Sequence, residues 1–136
     1  MTIAVTGATG QLGRIIVQKL KQKVAPRQII ALARNIDKAG DLGVEVRQAD
    51  YEKRETLDEA FREVETLMLV SSSEVGKRAS QHANVIASAR KAAVRRIVYT
   101  SLLRADTSPM SLAPEHVQTE TALKQSGIAH TILRNG

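Results

Sequence analysis

The chain has no cysteine and no tryptophan, one phenylalanine, two tyrosines and three prolines among its 136 residues. Without cysteine there is no disulfide, no thiolate nucleophile and no thiolate metal ligand. The histidines, His82, His116 and His130, stand far apart without ligand-type pairing, so no metal site is expected. No apolar run approaches the ~18 residues needed to cross a bilayer, and Met1-Thr2-Ile3-Ala4-Val5 lacks the basic start of a secretory signal. A cytoplasmic protein without a membrane span is the expectation. The shortage of aromatic rings also bears on charge. Twenty Lys and Arg against fourteen Asp and Glu leave a net charge of +6, which attracts anions. Proteins that bind single-stranded nucleic acid add aromatic stacking platforms, and the basic residues here are scattered rather than striped. The charge therefore points away from nucleic acid and towards smaller anions.

What is present is globular: 43% hydrophobic and 25% charged residues, in a chain the size of one domain. Thr2-Ile3-Ala4-Val5-Thr6 reads as a strand. A helix over 11–23 follows, with Leu12, Ile15, Ile16 and Leu20 at spacings of three and four that predict one buried stripe. After Pro26, Gln28-Ile29-Ile30-Ala31-Leu32-Ala33 is the continuous apolar run of a strand covered on both faces. The alternation then repeats. A helical turn over 37–41 precedes a strand over 43–48, and a helix over 53–64 carries Leu57, Ala60, Phe61 and Val64 on one face. A strand over 66–71 leads to a helix over 79–93 with Val85, Ile86, Ala89, Ala92 and Ala93 towards the sheet. A strand over 95–101, a helix over 113–126 opened by Pro114, and a strand over 128–133 complete the chain. Strands joined by crossover helices run parallel and right-handed. The expected class is therefore α/β, a Rossmann-type doubly wound parallel sheet of order 3-2-1-4-5-6 with helices on both faces.

Between the first strand and the first helix stands Gly7-Ala8-Thr9-Gly10-Gln11-Leu12-Gly13. Glycines at this spacing let the backbone bend tightly and admit a pyrophosphate, while the free amides and dipole of the helix start favour negative charge. Three glycines alone also fit a tight turn. The preceding strand, the following helix and a second strand ending about twenty residues on make the context that of a dinucleotide site, so residues 1–136 read as one NAD(P)-binding domain. An NAD-selective site carries Asp or Glu after the second strand, whereas this chain has Arg34, whose guanidinium suits the 2′-phosphate of NADP. NADPH is thus preferred over NADH, with a solvated surface arginine as the plainer reading. Asp50 follows the third strand, where it would accept from the adenine amine or cap a helix. Ser71, Ser72 and Ser73 follow the fourth, beside the ribose and nicotinamide or as turn formers.

These residues, with Ala33-Arg34-Asn35, Ser71-Ser72-Ser73-Glu74-Val75-Gly76, Ala105-Asp106-Thr107-Ser108-Pro109 and Leu133-Arg134-Asn135-Gly136, resemble the NmrA-like group of atypical short-chain dehydrogenases over essentially the whole chain. The resemblance implies an oxidoreductase that transfers a hydride from NADPH to a small-molecule quinone. It implies cofactor contacts at Gly7, Ala8, Thr9, Gly10, Gln11, Leu12, Arg34, Ser71, Ser72 and Ser73, and places Asn135 in the segment that passes the nicotinamide. The group also includes redox sensors that bind NADP and control a partner, so a non-catalytic regulatory module is the alternative. The Tyr-x-x-x-Lys pair of ordinary short-chain dehydrogenases is absent, Leu112 and His116 standing at its positions. His116 and His82 are the candidate proton donors, and an exposed helical histidine is the plainer reading of each. Members of the group continue past the Arg-Asn-Gly segment into a region that closes the substrate cleft. A sixth strand with an unpaired edge invites homodimerisation.

Overall fold

The computed structural model describes residues 2–70, 78–102 and 113–135. Strands β1 (Ile3–Val5), β2 (Ile29–Ala33), β3 (Glu45–Gln48), β4 (Thr66–Leu69), β5 (Arg96–Leu102) and β6 (Ala129–Asn135) alternate with helices α1 (Gln11–Lys21), α2 (Arg54–Ala60), α3 (Arg78–Lys91) and α4 (Ala113–Ser126). All six strands pair in parallel in the order β3-β2-β1-β4-β5-β6, as the alternation requires. No helix among the described residues is long and apolar enough to cross a membrane.

Side-chain alternation along the strands divides the core into two layers. Ile30, Leu32, Leu67, Leu69, Ile97 and Tyr99 meet Leu57 of α2, Val85, Ile86 and Ala89 of α3 and Leu123 of α4 on one face. Val5, Ile29, Ala31 and Ala33 meet Val17 of α1, Ala39 and Leu42 on the other. Every residue of β2 is buried, which explains its unbroken apolar run.

The α1 stripe departs from expectation. Leu12 and Ile15 are 40% and 46% exposed, and the line facing the sheet runs through Gly13, Ile16, Val17 and Leu20. A Cβ on Gly13 would lie 2.0 Å from the Gly7 carbonyl oxygen, so only glycine allows the helix start to rest on the turn. That contact fixes the rotation of α1 and turns Leu12 and Ile15 outward.

Several boundaries also move. A 3-10 turn over Pro26–Gln28 takes Gln28 out of β2. Gly43 sits at φ 74, and β3 begins only at Glu45. Helix α2 stops at Ala60 because Glu63 takes a left-handed φ of 62, yet Phe61 and Val64 remain buried on the expected face. Helix α3 stops at Lys91, where Ala93 at φ 59 and the Val94 amide bonded to the Ala89 carbonyl at 3.0 Å form a left-handed helix end. Ala93 is therefore exposed rather than turned to the sheet.

Candidate functional site

The order β3-β2-β1-β4 makes β1 the strand from which the chain departs in both directions, and a crevice opens beyond the carboxyl ends of such strands. The glycine turn lies there. Gly7 adopts φ 59, a conformation open to glycine, and its carbonyl accepts from the Gly10 amide at 2.9 Å. The Ala8 amide donates to the Leu32 carbonyl at 3.1 Å, tying the turn to the end of β2. Gly10 is the N-cap of α1. It offers no side-chain cap, and the first helical turn carries no acidic residue. The first intrahelical bond is Arg14 amide to Gly10 carbonyl, at 3.0 Å. The amides of Gln11, Leu12 and Gly13 thus point out of the helix start with its positive dipole end, beside exposed Gly7 and Gly10 and half-buried Thr9. This capless helix start, walled by residues without bulk, fits the pyrophosphate of a dinucleotide.

Arg34 immediately follows β2 and is exposed. Its carbonyl accepts from Gln48 Nε2 at 3.5 Å, and Asn35 Oδ1 accepts from the Asp37 amide at 3.0 Å. Asp50 follows β3 but does not cap α2, whose N-cap is Lys53. Instead its Oδ1 accepts from the Glu52 amide at 3.0 Å, and its own amide donates to Thr56 Oγ1 at 2.9 Å, a turn that delivers Tyr51 inward.

Tyr51 and Thr6 are the site residues that sequence reasoning passed over. The Tyr51 hydroxyl donates to the Val70 carbonyl at 2.9 Å, and the Val70 amide donates to Thr6 Oγ1 at 2.8 Å. Both ends of the Val70 peptide residue are therefore held where β1 and β4 part, directly before Ser71. Burial raises the Tyr51 pKa to about 12; the charge of Tyr99 adds to that rise, and the Thr6 hydrogen bond and the Arg34 charge oppose it. Because the folded value lies above the ordinary value near 10, the hydroxyl's contribution to stability is whole below about pH 10 and declines as pH rises to about 12. In an ultraviolet absorbance titration of the folded protein, Tyr51 is expected to stay protonated to about pH 11; ionisation near pH 10 would contradict its burial.

His82 is fully buried rather than exposed at a helix start. Its ring stands edge-on between Tyr51 at 6.0 Å and Tyr99 at 5.4 Å, and Nδ1 lies 3.0 Å from Thr119 Oγ1. It joins α3 to α4 across the core. His116 falls on α4 with its side chain outside the described residues, as do Ser71, Ser72 and Ser73 entirely. Asn135 closes β6 in register with Leu102, and its side chain too is outside the described residues. No group of acidic or histidine side chains suited to a metal ion occurs among the described residues. A cavity of about 550 Å³ between Arg47, Thr56 and Arg62 lies at the β3 edge away from the glycine turn.

Known proteins share this arrangement. Quinone oxidoreductase 2 of Escherichia coli K12 is 55% identical over 137 residues, covering 98% of this chain and 48% of that protein. An NmrA-like family domain-containing oxidoreductase of Aspergillus flavus is 35% identical, covering all of this chain and 48% of its own. The crystal structure of the Escherichia coli NADPH-dependent quinone oxidoreductase complexed with NADPH superposes with a TM-score of 0.96 at 54% identity, over 99% of this chain and 49% of that one. The Citrobacter triphenylmethane reductase complexed with NADP(H) superposes with a TM-score of 0.96 at 45% identity, over 98% of this chain and 49% of that one. The chain thus spans about half the length of these relatives. A family profile described as NAD(P)H-binding matches residues 7–136, from the first glycine of the turn through β6. Turn, strand order and profile coincide, and by them the chain belongs to the NAD(P)H-binding family.

Proposed function

We propose that residues 1–136 form an NADPH-binding domain whose activity is two-electron reduction of a quinone. The observation that carries the reading is the placement of an arginine, and no carboxylate, directly after β2 beside a capless helix start. Gly7, Ala8, Thr9, Gly10, Gln11 and Leu12 would hold the pyrophosphate through backbone amides, and Arg34 the 2′-phosphate. Asp50 would stand at the adenine end, and Ser71, Ser72, Ser73 and Asn135 at the nicotinamide end. Bound NADPH supplies the hydride, so the chain's own work is to orient the ring against the acceptor and keep water out. The quinone comes from the Escherichia coli relative, whose name states that substrate. A homodimer acting in the cytoplasm completes the proposal.

The test is NADPH titration of the protein followed by NADPH oxidation with a panel of quinones. Micromolar binding with quinone-dependent oxidation is expected. Binding without turnover on any quinone would replace the reductase with a redox-sensing module, and absence of binding would refute both.

A further inference from the structure

Arg14, the residue after the last glycine of the turn, reaches away from the helix start to the segment that follows β2. Its Nη1 donates to both carboxylate oxygens of Asp41, at 3.1 and 3.0 Å, and its Nη2 donates to the Lys38 carbonyl at 2.7 Å. Lys21, two helical turns further on, donates to the Leu42 carbonyl at 2.8 Å. The same segment is pinned at its start by the Asn35 side chain on the Asp37 amide and from beneath by Ala39 and Leu42, both fully buried. Four kinds of attachment thus immobilise residues 35–42, whose 3-10 turn, Ile36–Ala39, is too short to hold its own shape. Asn35 and Lys38 are exposed on the immobilised segment, and Arg34, also exposed, directly precedes it.

Stability does not account for the Arg14 contacts. The Arg14 side chain is 36% exposed and that of Asp41 71% exposed, and ion pairs in such surroundings contribute little to folding. What three directed bonds from one planar guanidinium do provide is a fixed position.

We infer that Arg14 is a positioning residue for cofactor discrimination: it holds the segment that follows Arg34 and bears Lys38, so that both cations meet the 2′-phosphate of NADPH. The inference rests on the assignment of the 2′-phosphate to Arg34. Arg14 acts through the segment, because the donors at Nη1 and Nη2 are turned to Asp41 and Lys38. A direct contact with the pyrophosphate, which NADH shares, would instead serve both cofactors alike.

The experiment compares Kd for NADPH and for NADH, with the thermal midpoint, in the full chain and in Arg14→Gln, Asp41→Asn, Arg34→Asp and Arg14→Gln combined with Arg34→Asp. Arg14→Gln and Asp41→Asn are each expected to weaken NADPH by about 5- to 10-fold, with NADH held within about 2-fold and the thermal midpoint nearly unmoved. On the Arg34→Asp background, Arg14→Gln is expected to cost less NADPH affinity than it does in the parent, since only the share that passes through Lys38 remains. Equal weakening of both cofactors by Arg14→Gln would overturn the inference in favour of a direct phosphate contact. Unchanged NADPH affinity in Arg14→Gln, with the loss intact in Arg34→Asp, would overturn the inference while leaving the Arg34 assignment standing. Unchanged NADPH affinity in Arg34→Asp itself would refute that assignment and the inference with it.

Discussion

Gly13→Val is expected to remove a large part of the protein's folding stability, about 3 kcal/mol or more in denaturant unfolding. A Cβ at this position would sit 2.0 Å from the Gly7 oxygen, 2.7 Å from the Gly7 carbonyl carbon and 2.9 Å from Ala8 Cα, all backbone atoms with no rotamer to give way. Relief requires α1 to retreat from the sheet by more than an ångström, which opens a gap around Val17, a fully buried contact of the second core layer. Overpacking of this kind costs about 3 kcal/mol or more, a large part of the ~5–15 kcal/mol by which domains are stable. The milder Gly13→Ala separates the clash from propensity. Alanine favours a helix over glycine by about 1 kcal/mol, so any net loss measures the contact. A drop on the order of 2–3 kcal/mol in denaturant unfolding is expected. An alanine variant as stable as the parent would show that the helix start does not rest on the turn.

Gly10→Val is expected to do the reverse, keeping the fold and abolishing NADPH binding. Gly10 is exposed, and its φ of −77 and ψ of 169 suit a branched residue. An added Cβ would meet only the Gly7 oxygen, at 3.3 Å, a contact that a shift of a few tenths of an ångström relieves. The branched side chain would then project over the amides of the helix start, where the pyrophosphate must come. Loss of affinity by more than about 100-fold is expected in a fluorescence titration, with the thermal midpoint within a few degrees of the parent. Retained affinity would reduce the turn to a structural element. Two glycines three residues apart in one motif thus have separable duties, Gly13 to the fold and Gly10 to the ligand.

The sequence carried more of the fold than of the site. Strand order followed from periodicity, because an apolar run such as Ile29–Ala33 is legible without knowing its neighbours. The exposed faces of Leu12 and Ile15 were not legible, since spacings of three and four fit two adjacent stripes and the choice lay with the Gly13 contact. The place of Arg34 at the end of β2 could be read because it depends only on adjacency to a strand. Burial of His82 depends on Tyr51, Tyr99 and Thr119, which are distant in sequence and assembled only by the topology. The Arg14 to Asp41 bond spans 27 residues between charged groups that each read as surface. In Asp50 the residue type was right for a cap, but its turn serves Tyr51 rather than α2.

The hold of Thr6 on β4 has a consequence for the order in which the chain folds. Its hydroxyl partners, Met68 and Val70, lie 62 and 64 residues away. Elsewhere in the sheet, register partners such as Ile30 with Glu45 and Thr66 with Arg96 are about half that distance apart or less. Loop closure makes long connections slower to form, so β1-β2-β3 and β4-β5-β6 can each gather before they join. The seam between β1 and β4 is then the last contact to close, and the glycine turn and the Val70 peptide lie on it. The cradle comes into being only with the completed sheet, so the recovery of NADPH binding after dilution from denaturant should follow the slowest folding phase.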